Sequence, residues 1–168
     1  PQWMKDVQTM PAEHQIAAVS KKLMELNPGF DGKLTSGNGR GTPKIENGVV
    51  TELWCVHNAI TELSPLRALS GLKKLNCGGN SSTAADANQR SKLSDLSPLT
   101  GMSLTTFYCG YSQVSDLSPL AGQPLETLFC HNTSVTDLTP LKGMPLRRLN
   151  ISVSKVEDLL SLKGLPLF

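Results

Sequence analysis

The chain has 168 residues, 39% of them hydrophobic, and sixteen Lys+Arg against fourteen Asp+Glu give it a formal net charge of +2. That balance is too near neutral to point to nucleic acid or a membrane surface. No run approaches the ~18 apolar residues that a bilayer-spanning helix requires, and the length suits one domain.

In chain order, residues 12–27 (AEHQIAAVSKKLMELN) set Ile16, Val19, Leu23 and Leu26 at helical spacing, with Asn27, Pro28 and Gly29 as a stop. The glycine-rich run 37–41 lacks the Lys-Ser/Thr ending of a phosphate cradle and reads as a hinge loop. Asn47-Gly48 between apolar pairs is a turn signal, so a hairpin is predicted over about 32–50. Residues 1–49 thus form an N-terminal cap, a helix (12–27) plus a β-hairpin, covering the apolar end of a repetitive body.

From residue 50 the chain repeats itself. Segments 50–55 (VTELWC), 72–77 (LKKLNC), 104–109 (LTTFYC), 125–130 (LETLFC) and 146–151 (LRRLNI) share one apolar spacing. Leu104, Leu125, Leu146 and Leu167 succeed one another at a fixed 21-residue period. A period of about 20–29 residues with this spacing marks a leucine-rich repeat solenoid. Five repeats are predicted, at 50–71, 72–103 (with an insertion at about 81–92), 104–124, 125–145 and 146–166. Residues 167–168 open a truncated sixth, so a fragment is expected and the missing leader is uninformative.

In each unit the fourth and sixth positions alternate with exposed ones, giving a short strand whose apolar side faces inward. The second half, as in 114–120 (VSDLSPL), turns back through a tight helical turn opened by Ser64-Pro65, Ser97-Pro98, Ser118-Pro119 or Thr139-Pro140. The hydroxyls are expected to cap free N–H groups there, and Asp95, Asp116, Asp137 and Asp158 to cap the same convex turns. Asn58, Asn80, Ser112, Thr133 and Ser154 come after the strands as structural polar residues. The fold class is therefore an α/β solenoid. It is a right-handed superhelix with a parallel concave sheet, a convex side of 3-10 or short helices, and the N-terminal cap.

Cys55, Cys77, Cys109 and Cys130 occupy one phase of the repeat, and Ile151 holds it in the fifth copy. A position that accepts isoleucine asks for a small apolar group, not a thiolate. Parallel neighbours about 4.8 Å apart are too far for unstrained disulfides, whose Cβ atoms want about 3.5–4.5 Å. A straight row of thiols cannot wrap a tetrahedral metal, and an apolar setting leaves a thiol inert. The column is read as core, with no metal and no cofactor, and the unpaired thiols favour a cytoplasmic setting.

Function is then expected on the concave sheet. Trp54, Tyr108, Tyr111 and Phe129, half of the chain's eight aromatic residues, face outward there together with His57 and His131. Aromatic rings held where folding gains little from them are candidates for a binding patch. The glycines of the second repeat are expected to leave a notch between Trp54 and Tyr108. His57 and His131 lie roughly 14 Å apart along the stack, too far to share a proton or a ligand, and no catalytic constellation is present.

Segments 116–122 (DLSPLAG) and 137–143 (DLTPLKG) resemble the convex run of bacterial internalin-like leucine-rich repeats. The resemblance covers residues 50–166, with a 21-residue unit, Cys in the strand and Ser/Thr for Asn as departures. Residues 12–19 and 27–32 (NPGFDG) also look like the cap of bacterial modules that can follow a Ser/Thr protein kinase domain. Both resemblances imply a non-enzymatic module recognising a protein or peptide, within a larger protein in the second case. The alternative is a structural or self-assembly element that pairs through its uncapped C-terminal edge.

Overall fold

The computed structural model describes residues 1–37, 39, 41–79 and 90–168. The insertion expected at about 81–92 and the polar residue expected at Asn80 therefore lie largely outside the described residues, as does part of the 37–41 run. Two helices open the chain, α1 (Gln2–Gln8) and α2 (Ala12–Leu26). Six strands come next: β1 (Lys44–Glu46), β2 (Val49–Trp54), β3 (Lys74–Asn76), β4 (Thr106–Tyr108), β5 (Thr127–Phe129) and β6 (Arg148–Asn150). They form one sheet in sequence order, with β1 antiparallel to β2 and every later pair parallel.

Equivalent positions stack in register. Leu53, Leu75, Phe107, Leu128 and Leu149 form one row, and Trp54, Asn76, Tyr108, Phe129 and Asn150 the next. The first row points into the core, and the first four of its members are fully buried. Short 3-10 turns carry the chain back on the other side, at Ser64–Ala68, Ser97–Leu99, Ser118–Leu120, Thr139–Leu141 and Leu160–Leu162. These observations make the chain a leucine-rich repeat solenoid.

The convex turns correct one expectation. The Ser118 hydroxyl does not cap the turn but donates to Asp116 at 2.6 Å, and the same carboxylate accepts the Ser118 backbone N–H at 2.8 Å. The aspartate is the cap and the hydroxyl orients it. Asp95 with Ser97 and Asp137 with Thr139 repeat this arrangement, while Asp158 accepts the Leu160 N–H without a hydroxyl partner. The hydrogen bonds from Ser118 hold the Asp116 carboxyl below its usual range.

Ser112 and Thr133, in the bend after their strands, donate to the carbonyls of Cys109 and Cys130 at 2.5 and 2.6 Å. In the second repeat Ser91, fully buried, occupies the equivalent bend but engages it differently: its hydroxyl accepts the Leu93 N–H and its own N–H reaches Tyr111 O at 2.8 Å. The rhythm thus resumes after the insertion at Ser91, about eleven residues beyond the position that the repeat spacing assigns.

Val19 and Leu23 of α2 are buried in the same cluster as the leucines of the sheet, and both helices pack on the Ser64–Ala68 turn. Leu26, expected to point inward, is 40% exposed. Asn27 lies buried in its place. At the other end Leu159, Leu160 and Phe168 are exposed, while Leu138, which precedes Leu159 by one repeat, is buried.

All four cysteines are buried and unpaired. Burial pushes the Cys55 and Cys130 thiols up to about 12 and holds those of Cys77 and Cys109 well above their ordinary value. The folded chain thus favours the neutral thiol, and this contribution is intact at pH below about 9, where the unfolded thiols are also protonated. Above that pH the unfolded state releases protons that the folded state keeps, so stability falls as pH climbs towards 12. The urea midpoint in reductant should drop between pH 8 and pH 10 by an amount equivalent to roughly 1.4 kcal/mol per buried thiol. A midpoint that does not move over this interval contradicts a buried ladder.

Candidate functional site

Because β2 to β5 are parallel and in register, the residue after each core leucine or phenylalanine stands on the opposite face. Trp54, Tyr108 and Phe129 are brought together on that face. Trp54 and Tyr108 meet edge to face with ring centroids 6.2 Å apart, and Tyr108 and Phe129 do so at 5.1 Å. Trp54 and Tyr108 sit two strands apart, with Asn76 between them in register. Their rings therefore lean over the small Asn76 and close the gap that the sequence assigned to a notch.

The opening lies further along the strands instead. A notch of about 170 Å³ is lined by Asn76, Gly78, Gly79, Tyr108, Gly110, Tyr111 and His131. Its floor is backbone: a Cβ on Gly78 would stand 2.6 Å from Gly110 O. The imidazole of His131 lies over Gly110, where an added Cβ would come within 2.8 Å of Nδ1. Tyr111 packs edge-on against it, with centroids 4.9 Å apart and planes at 89°. Tyr111, Asn132 and Val153, one repeat apart, all adopt left-handed backbone with φ of 54, 52 and 55°. The strained conformation belongs to the repeat's bend and is not peculiar to the notch.

No family model and no curated protein matches the chain. Among solved structures it is similar to internalin C2 of Listeria monocytogenes, at 27% identity and a TM-score of 0.53 over 73% of this chain and 61% of that one. The chain is an internalin-like leucine-rich repeat protein. Internalin F of the same bacterium is similar in fold, at 20% identity and a TM-score of 0.54 over 95% of this chain and 51% of that one. The internalin-like chain thus spans between half and two thirds of the length of these two neighbours.

His57 departs from the group in this internalin-like sheet. Its Nδ1 accepts the Ala59 N–H at 3.1 Å and its ring packs edge-on against Phe30 at 5.6 Å. It ties the segment after α2 to the first repeat, a structural engagement that its sequence position gave no sign of. The other five candidates form two connected sets, the row Trp54–Tyr108–Phe129 and the pair Tyr111–His131. Tyr108 joins them as a wall of the notch.

The electrostatics are those of half-burial. Tyr108 is held above its ordinary pKa mainly by burial, with Arg148 pulling it down and Glu52 pushing it up. Burial alone lowers His131, favouring a neutral imidazole. Its Nδ1 is buried without a hydrogen-bond partner among the described residues. Glu52 accepts the Gly37 N–H at 2.6 Å and stands 4.0 Å from Lys74. Among the described residues no three His, Cys, Asp or Glu side chains converge to hold a metal.

Proposed function

We propose that this chain is a non-enzymatic recognition module that holds a protein or peptide ligand on its concave face. The observation that carries the reading is the row Trp54–Tyr108–Phe129, three half-buried rings in mutual edge contact on the side of the sheet away from the core. A preformed row of rigid rings presents large apolar area with little rotamer freedom left to lose on binding. Anchors of this kind each contribute about 2 kcal/mol or more to an interface, or roughly 30-fold in affinity.

The test uses peptides selected on the wild-type chain from a random display library. The double variant Trp54→Ala/Tyr108→Ala, with its far-ultraviolet spectrum unchanged, should bind them at least about 30-fold more weakly. Equal binding by a folded double variant sinks the proposed site.

A second reading is supported by the last repeat, where Leu160 and Phe168 are 77% and 82% exposed. It makes that apolar edge a surface for self-association. Sedimentation over a hundredfold concentration range should then reveal a dimer that Phe168→Glu disperses, whereas a monomer throughout removes this reading.

A further inference from the structure

We infer that the notch beside the aromatic row takes a carboxylate of the ligand, an aspartate or glutamate side chain of a bound peptide, against His131, Tyr111 and Asn76. This rests on the reading of the concave face as a peptide-binding surface and adds the chemical class of residue that the notch selects.

The lining supplies donors and no acid. Asn76 spends its Oδ1 on the Gly78 N–H at 3.1 Å, which leaves its amide hydrogens to donate. The hydroxyls of Tyr108 and Tyr111 can each donate. His131 lines the notch, and its Nδ1 is buried over Gly110 with no hydrogen-bond partner among the described residues. No carboxylate is among the seven residues that line the notch. The nearby acid, Glu52, is engaged by the Gly37 N–H and faces Lys74. Arg148 acts on Tyr108, a wall of the notch, and thus adds positive potential on that side.

The glycine floor explains why the notch stays open. Any side chain on Gly78 or Gly79 would collide with the backbone of the next repeat, and one on Gly110 would displace the imidazole. About 170 Å³ accommodates a carboxymethyl or carboxyethyl group.

Such a site is pH-dependent. Tyr108 and Tyr111 face the imidazole from β4 and the turn after it. On the other side Ser152, Asn150 and Arg148 stand on or after β6, and none of these groups carries a negative charge. In the free protein, burial opposes the imidazolium; a bound carboxylate favours it. Binding therefore takes up a proton, and affinity rises as the pH falls through the titration of His131, while the ligand carboxylate stays ionised.

The experiment monitors the His131 Hε1 resonance of the full chain. It is titrated with N-acetylglutamate amide, N-acetylglutamine amide and N-acetylglucosamine at pH 7.5 and 5.5. The glutamate probe should give a saturable shift, tightening roughly fivefold at the lower pH, with the glutamine probe at least about tenfold weaker. His131→Gln should keep weak binding of the glutamate probe and lose its pH dependence. No perturbation, equal response to both amides, or pH-independent affinity overturns the proposal. Preferential response to the sugar also overturns it, and assigns the notch to a glycan. A wild-type chain blind to glutamate while its selected peptides still require Trp54 removes the notch proposal and spares the aromatic row.

Discussion

Replacing Asn27 by leucine should cost the fold roughly 3 kcal/mol. Asn27 is fully buried at the end of α2. Its Oδ1 accepts the backbone N–H groups of Thr61 and Glu62, both at 2.8 Å, and the Thr61 hydroxyl at 3.2 Å. Its Nδ2 donates to Leu23 O at 2.9 Å and to Glu62 O at 3.0 Å. One side chain thus closes the helix end and pins it to the first repeat. Leucine has a similar branched shape but greater bulk, and it leaves the Thr61 and Glu62 N–H groups and the Glu62 carbonyl without this partner; an unmade bond at a buried group costs about 1–3 kcal/mol. Among the described residues Asp31 hydrogen-bonds its own loop alone, at the Lys33 N–H, and is exposed, so Asp31→Ala serves as a near-neutral control. Urea unfolding should separate the two variants clearly. A loss below about 1 kcal/mol for Asn27→Leu would mean that the contact is incidental.

The second large effect is expected at Phe107. It stands in the leucine row between Leu75 and Leu128 and is completely buried. Phe107→Ala should lose about 3–5 kcal/mol, because a solenoid repeat is packed only by its neighbours and has no second layer to fill the void. Phe107→Leu, which restores the residue of the adjoining strands, should lose about 1 kcal/mol. Similar losses for the two variants would contradict a tightly packed row at this repeat. The concave aromatic row offers the counterpart: Trp54→Ala removes a ring from the outer face and should cost stability far less than Phe107→Ala.

The periodic parts of the architecture are legible in the sequence because apolar spacing reports directly which side chains point inward. The leucine row and the cysteine column emerge from period alone, and Ile151 at a cysteine position argues against thiolate chemistry on sequence grounds. Interactions between segments far apart in sequence carry no such signal. Asn27 reads as a helix stop because its partners are 34 and 35 residues away. Ser91 is hidden because the insertion erases the spacing that identifies its equivalents. Gln123, 3% exposed, is equally silent: it donates to Leu99 O at 2.9 Å and accepts the Leu104 N–H at 3.2 Å, where the following repeat has Met144. Helix α1 escapes notice because it buries only Val7 and so lacks an apolar stripe.

At the candidate site, the outward phase of the aromatics is legible, but their mutual arrangement is not. Whether Trp54 and Tyr108 frame a gap or close it depends on the size of the residue between them in register. Asn76 is small enough for the two rings to meet above it. Likewise His57 shares the outward side with the others, but an edge contact with Phe30 commits it to holding the N-terminal segment.

The most direct test of concave-face recognition is a footprint. Amide chemical shifts of the full chain are mapped with and without a peptide selected on it. Perturbations should concentrate at residues 51–57, 73–79, 105–111 and 126–132 and leave the 3-10 turns at Ser97–Leu99, Ser118–Leu120 and Thr139–Leu141 unmoved. A footprint centred on those turns, or on Leu159, Leu160 and Phe168 alone, would contradict the account.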